Sequence, residues 1–236
     1  MGMTGKLTIT RIKSGRIEET EDTLAMEREI SLDLHGRRIL CSTCSPTDFR
    51  ELVYGFLRSE GFIEAKDHVT SLRSAGNEFL VELSGEARPP VDRLPARVES
   101  GFTIPITVLL AAARECRDRG IIFRKTGGTH TAAIGADSGL ITLFEDVSRA
   151  HALEKAVGDA LLRGLNLDDK FIFLSSRLSK VMVEKIARCG IPIVGAVSAP
   201  TKQAVESAEK LGICVCGFIR DERVNVYSQQ WRVRIG

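Results

Sequence analysis

"KFIFLSSRLSKVMVEKIARCGIPIVGAVSAPTKQAVESAEKLGICVCGFIR", residues 170–220, decides the fold. Its hydrophobic period switches four times. "FIFL" is a continuous apolar run, as in a strand buried on both faces. "RLSKVMVEKIARCG" then places Leu178, Val181, Met182 and Ile186 inward at helical spacing and stops at Gly190. "PIVGAVSA" is a second strand, "PTKQAVESAEKLG" a second helix and "ICVCGFI" a third strand. Strands separated by helices pair in parallel, because the chain must cross over between them. The class is therefore α/β, with helices packed on the sheet.

Upstream, "KTGGTHTAAIGA" and "LITLFE" read as strands joined at Asp137-Ser138-Gly139, and "DVSRAHALEKAVGDALLRG" as a helix ending at Gly164. With a helix over 105–119, the pattern predicts a largely parallel sheet covered on both faces. The window "GEARPPVDRLPARVESGFTIP" holds four of the seven prolines and no apolar period, which places a domain boundary near residue 100. The first unit, 1–100, reads as small α+β. Hairpins turn at His35-Gly36 and Gly76-Asn77, around one helix in "SPTDFRELVYGFLRSEG". Ser45 is its expected N-cap, Pro46 its first residue, and Phe49, Leu52, Val53, Phe56 and Leu57 its inner stripe. The second unit, 101–236, is α/β.

Of the 236 residues, 43% are hydrophobic and 27% charged, and the net charge is +2, so neither nucleic acid nor a membrane is an expected partner. The run "IPITVLLAAA" is too short to span a bilayer. The first residues lack an apolar core with a cleavage site, so a cytoplasmic location is expected. Six cysteines occur, two of them in "CSTC", 41–44. No second CxxC and no His-x-x-x-His accompanies them, so no zinc ligand set is complete. Structural thiols are expected, with Cys214 and Cys216 on one strand face.

Ligands of open α/β sheets bind beyond the carboxyl ends of the strands. Here those ends carry Ser175-Ser176-Arg177, Ser198 to Thr201, Glu145-Asp146 with Ser148-Arg149, and Arg220 to Arg223. Hydroxyls at helix starts beside arginines make a candidate anion pocket, although Ser and Thr also cap helices with no ligand involved. In "TGGTHTAA", Thr126 to Ala133, glycines before His130 would let a ligand approach the backbone. His130 is open to two readings, site residue or hydrogen-bonded core residue. "TGGT" fits neither the Walker nor the dinucleotide loop, and no Ser-His-Asp set in a known local context favours hydrolysis.

The blocks "FRKTGGTHTAA", "FEDVSRAHALEKAVG", "LSSRLSKVMVEKIARCGIPIVGAVSAPTKQAVESAEKLG", "GFIRDERVNVYS" and "CSTCSPTDFRELVYGFLRSEGFI" resemble, in order and spacing, the FdhD family of formate dehydrogenase accessory proteins. The resemblance implies a cytidine-deaminase-like three-layer α/β/α second domain without the deaminase metal. The corresponding positions, Ser148–His151 and Ser175–Arg177, offer at most one imidazole. It implies a cytoplasmic homodimer that binds the molybdenum (or tungsten) bis-guanine dinucleotide cofactor. Sulfur would pass from a cysteine desulfurase to that cofactor, for the formate dehydrogenase catalytic subunit. Phe218, Ile219, Arg220, Asp221, Glu222 and Arg223 match the family's cofactor loop. With them the candidate binding set is Thr126, Gly127, Gly128, His130, Glu145, Asp146, Arg149, Ser175, Ser176, Arg177, Ser198 and Thr201. On this reading the small residues around His130 leave space for a nucleotide.

Two departures stand out. The family's sulfur carrier is a "CGxCG" loop, but the matching segment here, "ARVESGFTIPITV", has no cysteine. Cys116 follows at a packing position, and Cys41 and Cys44 are the remaining catalytic candidates. Relatives commonly read "EDVGRHNALDK" where this chain has "EDVSRAHALEK", so Ser148, Ala150, His151 and Glu154 differ. Three functions stay open: a sulfurtransferase, a cofactor-holding chaperone and a deaminase-like hydrolase, the last of which predicts bound zinc.

Overall fold

The computed structural model describes residues 2–85 and 94–235, so part of the expected boundary window, 86–93, lies outside the described residues. Strands β1 (Thr4–Lys13) and β2 (Arg16–Ala25) form a hairpin with no further strand among the described residues. Next come β3 (Arg28–Leu34), β4 (Arg37–Cys44), helix α1 (Phe49–Glu60), β5 (Val69–Ala75) and β6 (Glu78–Leu83). These four strands make one sheet, ordered β4-β3-β6-β5. β7 (Ile104–Pro105) leads into α2 (Ile106–Arg119) and α3 (Ile121–Thr126). There follow β8 (His130–Ala136), β9 (Gly139–Asp146), α4 (Arg149–Leu162), β10 (Phe171–Leu174), α5 (Lys180–Arg188), β11 (Ile193–Ala196), α6 (Lys202–Leu211), β12 (Cys214–Arg220), β13 (Arg223–Val226) and β14 (Val233–Arg234). The large sheet runs β13-β12-β11-β10-β8-β9.

Alternation along each strand sorts the core. Ile172 and Leu174 of β10 pack with Leu153, Val157, Met182, Val183 and Ala208, so α4, α5 and α6 share one face. Phe171 and Phe173 pack with Leu109, Ala112 and Cys116 of α2 on the other. Each fully buried phenylalanine contributes roughly 1.5–3 kcal/mol over its exposed state. Cys214 and Cys216 lie together on the α2 face, their sulfurs 3.7 Å apart.

Four expectations change. In the large sheet only β10, β11 and β12 are mutually parallel; tight hairpins at both flanks add antiparallel partners, so the sheet is mixed. Residues 125–129 are not strand, because the chain from Ile121 winds into α3 and Gly127 ends it with φ +66°. Helix α1 begins at Phe49, after Asp48. Ser45 and Pro46 stand before it, and the Ser45 hydroxyl accepts the Val147 N–H at 3.1 Å. Val181, at the start of α5, is 59% exposed, since the inward stripe there begins with Met182.

The sequence's two halves meet helix to helix. A Cβ built on Gly55 of α1 would stand 1.7 Å from the carbonyl oxygen of Glu154 in α4, and one on Gly158 would stand 1.8 Å from that of Glu51. Two glycines therefore let the helix backbones touch.

Candidate functional site

Strand direction brings the candidates to one rim. Because β8 runs antiparallel to β10, its first residue, His130, sits level with the carboxyl ends of β10 and β9. Side-chain alternation then splits the rim in two. Thr131 and Ser175 lie on the α2 side, where they line a cavity of about 240 Å³ with Val197, Ile219, Arg220 and Asp221. Its outer wall is Ala113, Arg114, Cys116, Arg117, Gly120 and Phe123.

The cavity has polar groups to spare. The Thr131 N–H donates to the Ser175 hydroxyl at 2.9 Å, and the Ser175 N–H returns the bond to the Thr131 carbonyl at 3.0 Å. The Thr131 hydroxyl itself has no hydrogen-bond partner among the described residues, although the residue is only 5% exposed. The hydroxyl is not sealed from solvent, so it is open to hydrogen bonding from the cavity side. Three guanidiniums, Arg114, Arg117 and Arg220, contribute cationic groups suited to carboxylates or phosphates.

Arg220 is aimed by a distortion. The β12–β13 register shifts between Gly217 and Arg220, and Phe218 there takes φ +53°. The Phe218 N–H donates to the Ser198 carbonyl at 3.2 Å, which ties the bulge to the strand end beside it. The guanidinium carbons of Arg220 and Arg223 stand 5.9 and 5.5 Å from the Phe218 ring centre. The exposed tip, Asp221 and Glu222, projects beyond the sheet.

On the α4 side, burial chiefly, with the Arg149 charge, holds the His130 imidazole below its ordinary value; Asp146 opposes them. His130 is thus biased toward the neutral form.

Other predicted residues are occupied by the protein. Glu145 caps α3, accepting the N–H groups of Ile122 at 3.0 Å and Phe123 at 2.7 Å and the Thr129 hydroxyl at 3.0 Å. Asp146, fully buried, pairs with Lys155 at 2.7 Å and accepts the N–H groups of Ser45 and Ser148. Thr126 donates to the Ile122 carbonyl and accepts the Gly128 N–H. A Cβ on Gly128 would come within 2.9 Å of the Ala25 side chain, so that glycine admits strand β2. The gap before His130 is therefore filled by the protein's own hairpin. Thr201 caps α6, accepting the Ala204 N–H at 3.2 Å. The Ser176 hydroxyl donates to the Arg177 carbonyl at 3.2 Å. Arg149 and Arg177 are exposed and do not line the cavity.

Cys41 and Cys44 are three residues apart on β4 and hence on opposite faces, one exposed and one buried. Burial, then the Asp146 charge, pushes the Cys44 thiol up to about 12. Neither lines the cavity.

Sequence reasoning missed two features. One is the α2 wall, whose signal was Arg114 and Arg117 one turn apart, followed by Gly120. The other is a seam between the halves. The Ser42 hydroxyl and His151 Nε2 are 2.7 Å apart, and His151 Nδ1 is 2.7 Å from Glu154. Lys185 binds Glu154 at 2.8 Å and also Glu60. Two of the residues that depart from the relatives' pattern, His151 and Glu154, thus bond to each other.

Comparison with known proteins settles the lineage. The FdhD/NarQ family profile matches residues 25–95 and 85–234. This chain belongs to the FdhD/NarQ family. Curated relatives of this family member called "Sulfur carrier protein FdhD" include those of Shouchella clausii and Bacillus subtilis. That of Shouchella clausii is 30% identical over 96% of both chains, and that of Bacillus subtilis is 30% identical over 96% of both. A crystal structure of a candidate formate dehydrogenase accessory protein from Desulfotalea psychrophila shares the fold. It superposes with a TM-score of 0.86 at 23% identity, over 99% of this chain and 100% of that one.

Proposed function

We propose that this family member is a formate dehydrogenase accessory protein that binds the molybdenum or tungsten bis-guanine dinucleotide cofactor as cargo and delivers sulfur to it. The observation that carries the reading is the cavity where Thr131, Ser175 and Arg220 converge, rimmed by Arg114 and Arg117. At about 240 Å³ it is smaller than a typical ligand pocket of roughly 300–1,000 Å³. It suits one ring or phosphate portion, with the remainder of the dinucleotide lying along the open rim. The arginines would pair with phosphate oxygens, which neutral hydroxyls alone hold weakly. Thr131 would supply the hydrogen bond that its hydroxyl lacks in the protein. The reading includes a cytoplasmic homodimer of two-unit chains divided near residue 100, a cysteine desulfurase as sulfur source and formate dehydrogenase as client.

A second reading, a holder that carries no sulfur, is favoured by one observation. The stretch Ala96–Val108, which by the family resemblance corresponds to the CGxCG carrier loop, has no cysteine.

Titration calorimetry with guanosine diphosphate tests the site. Losing one charge-assisted contact costs about 1.5–3 kcal/mol, so Arg220→Ala should weaken binding roughly tenfold or more. Arg177→Ala, outside the cavity, should change it less. Equal affinity in wild type and Arg220→Ala removes the assignment.

A further inference from the structure

We infer that the open edge of the smaller sheet, β5 together with the start of α1, is a docking groove for an extended acidic segment of a partner polypeptide. β5 ends the sheet β4-β3-β6-β5, with β6 as its one strand partner among the described residues. In an antiparallel pair every second residue turns its N–H and C=O away from the partner strand. This edge therefore offers unpaired backbone groups to an incoming strand. The opposite edge differs, since β4 meets α4 through Ser42 and His151 at 2.7 Å.

Side chains complete the groove. A cleft of about 420 Å³ lies between the strand edge and α1, and its lining includes Val69, Leu72 and Ser74 of β5, Phe79 of β6 and Arg50 and Tyr54 of α1. That volume falls within the usual range of roughly 300–1,000 Å³ for a ligand site. Leu72 pairs with Val81 and Ser74 with Phe79, so these side chains share the face of the sheet that packs on α1. Tyr54 and Phe79, each 7% exposed, make an apolar floor with Leu72. The Phe49 and Phe79 ring centres are 5.4 Å apart, which brings the first turn of α1, and so Arg50, to the Ser74 end of the cleft.

Charge identifies the occupant. Among the described residues the lining contains no Asp or Glu. Arg50 is exposed, its guanidinium carbon 5.7 Å from the Tyr54 ring centre, and it holds no carboxylate among the described residues. A carboxylate entering the cleft would meet this unpaired guanidinium beside an apolar floor, where a charge-assisted bond is stronger than in open water. A second copy of this chain would bring the same lining, and so no carboxylate for Arg50. A terminal carboxylate is captured by a nest of backbone N–H groups, whereas one guanidinium suits a Glu or Asp side chain. Alternate residues of the added strand face the floor, so the recognised pattern is apolar and acidic side chains at every second position.

The test follows fluorescence anisotropy of a labelled, C-terminally amidated peptide against the full-length protein. The peptide carries valine, glutamate and valine at alternate positions, with threonine between and at both ends. The expected result is saturable binding that falls roughly tenfold or more in Arg50→Gln, or when glutamine replaces the peptide's glutamate, the loss of one charge-assisted contact. Methylating the peptide's backbone nitrogens should abolish binding to the unaltered protein, because the added strand can no longer hydrogen-bond to β5. Amide exchange should slow across Val69–Ala75 in the complex. Arg50→Gln should leave guanosine diphosphate binding unchanged, since Arg50 does not line the Thr131 cavity. No binding, or equal binding of the methylated peptide, overturns the proposal. Displacement by inorganic phosphate at constant ionic strength overturns it in favour of a small-anion site. Exchange across Val69–Ala75 that slows with protein concentration alone overturns it in favour of a second copy.

Discussion

The seam between the two halves and the rim of the large sheet are both rich in polar side chains, yet they differ in one respect. At the seam, buried charge meets charge. Asp146 holds Lys155 and two N–H groups, and Glu154 holds both His151 and Lys185. At the rim, the Thr131 hydroxyl lacks a protein partner and the guanidiniums of Arg114, Arg117 and Arg220 are exposed, Arg117 with only its neighbour Asp118 at 3.8 Å. Satisfied polar groups in a dry place organise a fold, whereas solvent-reachable ones beside a cavity can bond a ligand without breaking the protein's own contacts. The Ser42–His151–Glu154 line shows why the distinction matters. Its distances match a nucleophile–base–acid chain, but Glu154 also holds Lys185 through its other oxygen, and His151 and Glu154 are 4% and 1% exposed, so the line lies in the dry seam. The contrast assigns that line to the architecture.

Three changes would break or sharpen this contrast. The largest effect is expected from Lys155→Met. It strands the fully buried Asp146 carboxylate, and breaking such a pair costs about 3–5 kcal/mol. Urea unfolding should show a loss of that size, and a loss below about 1 kcal/mol would mean that the seam is not load-sharing. Gly55→Ala comes next, because its methyl cannot occupy a point 1.7 Å from the Glu154 carbonyl oxygen without moving a helix. Overpacking of this kind costs about 1–3 kcal/mol or more, read as a lowered thermal midpoint. The rim variant Arg220→Ala should leave that midpoint nearly unchanged.

The smallest effect is a pH dependence. Burial alone would raise the Glu154 carboxyl, but Lys185 and the His151 hydrogen bond outweigh it and hold it below its ordinary 4.5. Its stabilising contribution is therefore full above pH 4.5 and is lost as pH falls through the lowered value. Each pH unit of lowering is worth about 1.4 kcal/mol. Acid titration of stability should steepen below pH 4.5 in the wild type and flatten in Glu154→Gln. An identical acid limb in both would take Glu154 out of the seam's energetics.

Much of the architecture was legible because it is written in periodicity. The alternation from Phe171 to Arg220 gave β10, α5, β11, α6 and β12, and Gly61, Gly164 and Gly190 marked helix ends correctly. The misreadings have local causes. Helix α3 is one and a half turns of Ile, Phe and basic residues, too short to show a period. Ser45 has the chemistry of a cap, but the chain spends its hydroxyl on Val147, 102 positions away. The site was half legible. Ser175 and Arg220 were readable as strand ends, whereas Thr131, Cys116, Arg114 and Arg117 lie on elements whose mutual placement no spacing rule gives.

The amino-acid order by itself determined which segments are strand and helix and which strand ends carry hydroxyls and arginines, since those follow from local spacing and side-chain type. Tertiary structure alone decided which of them meet. It turned Glu145 and Asp146 inward, slid β2 against Gly128 and closed α2 over the ends of β10 and β12. The reason is physical. A side chain's job is set by whether its polar atoms find partners after packing, and those partners come from distant parts of the chain.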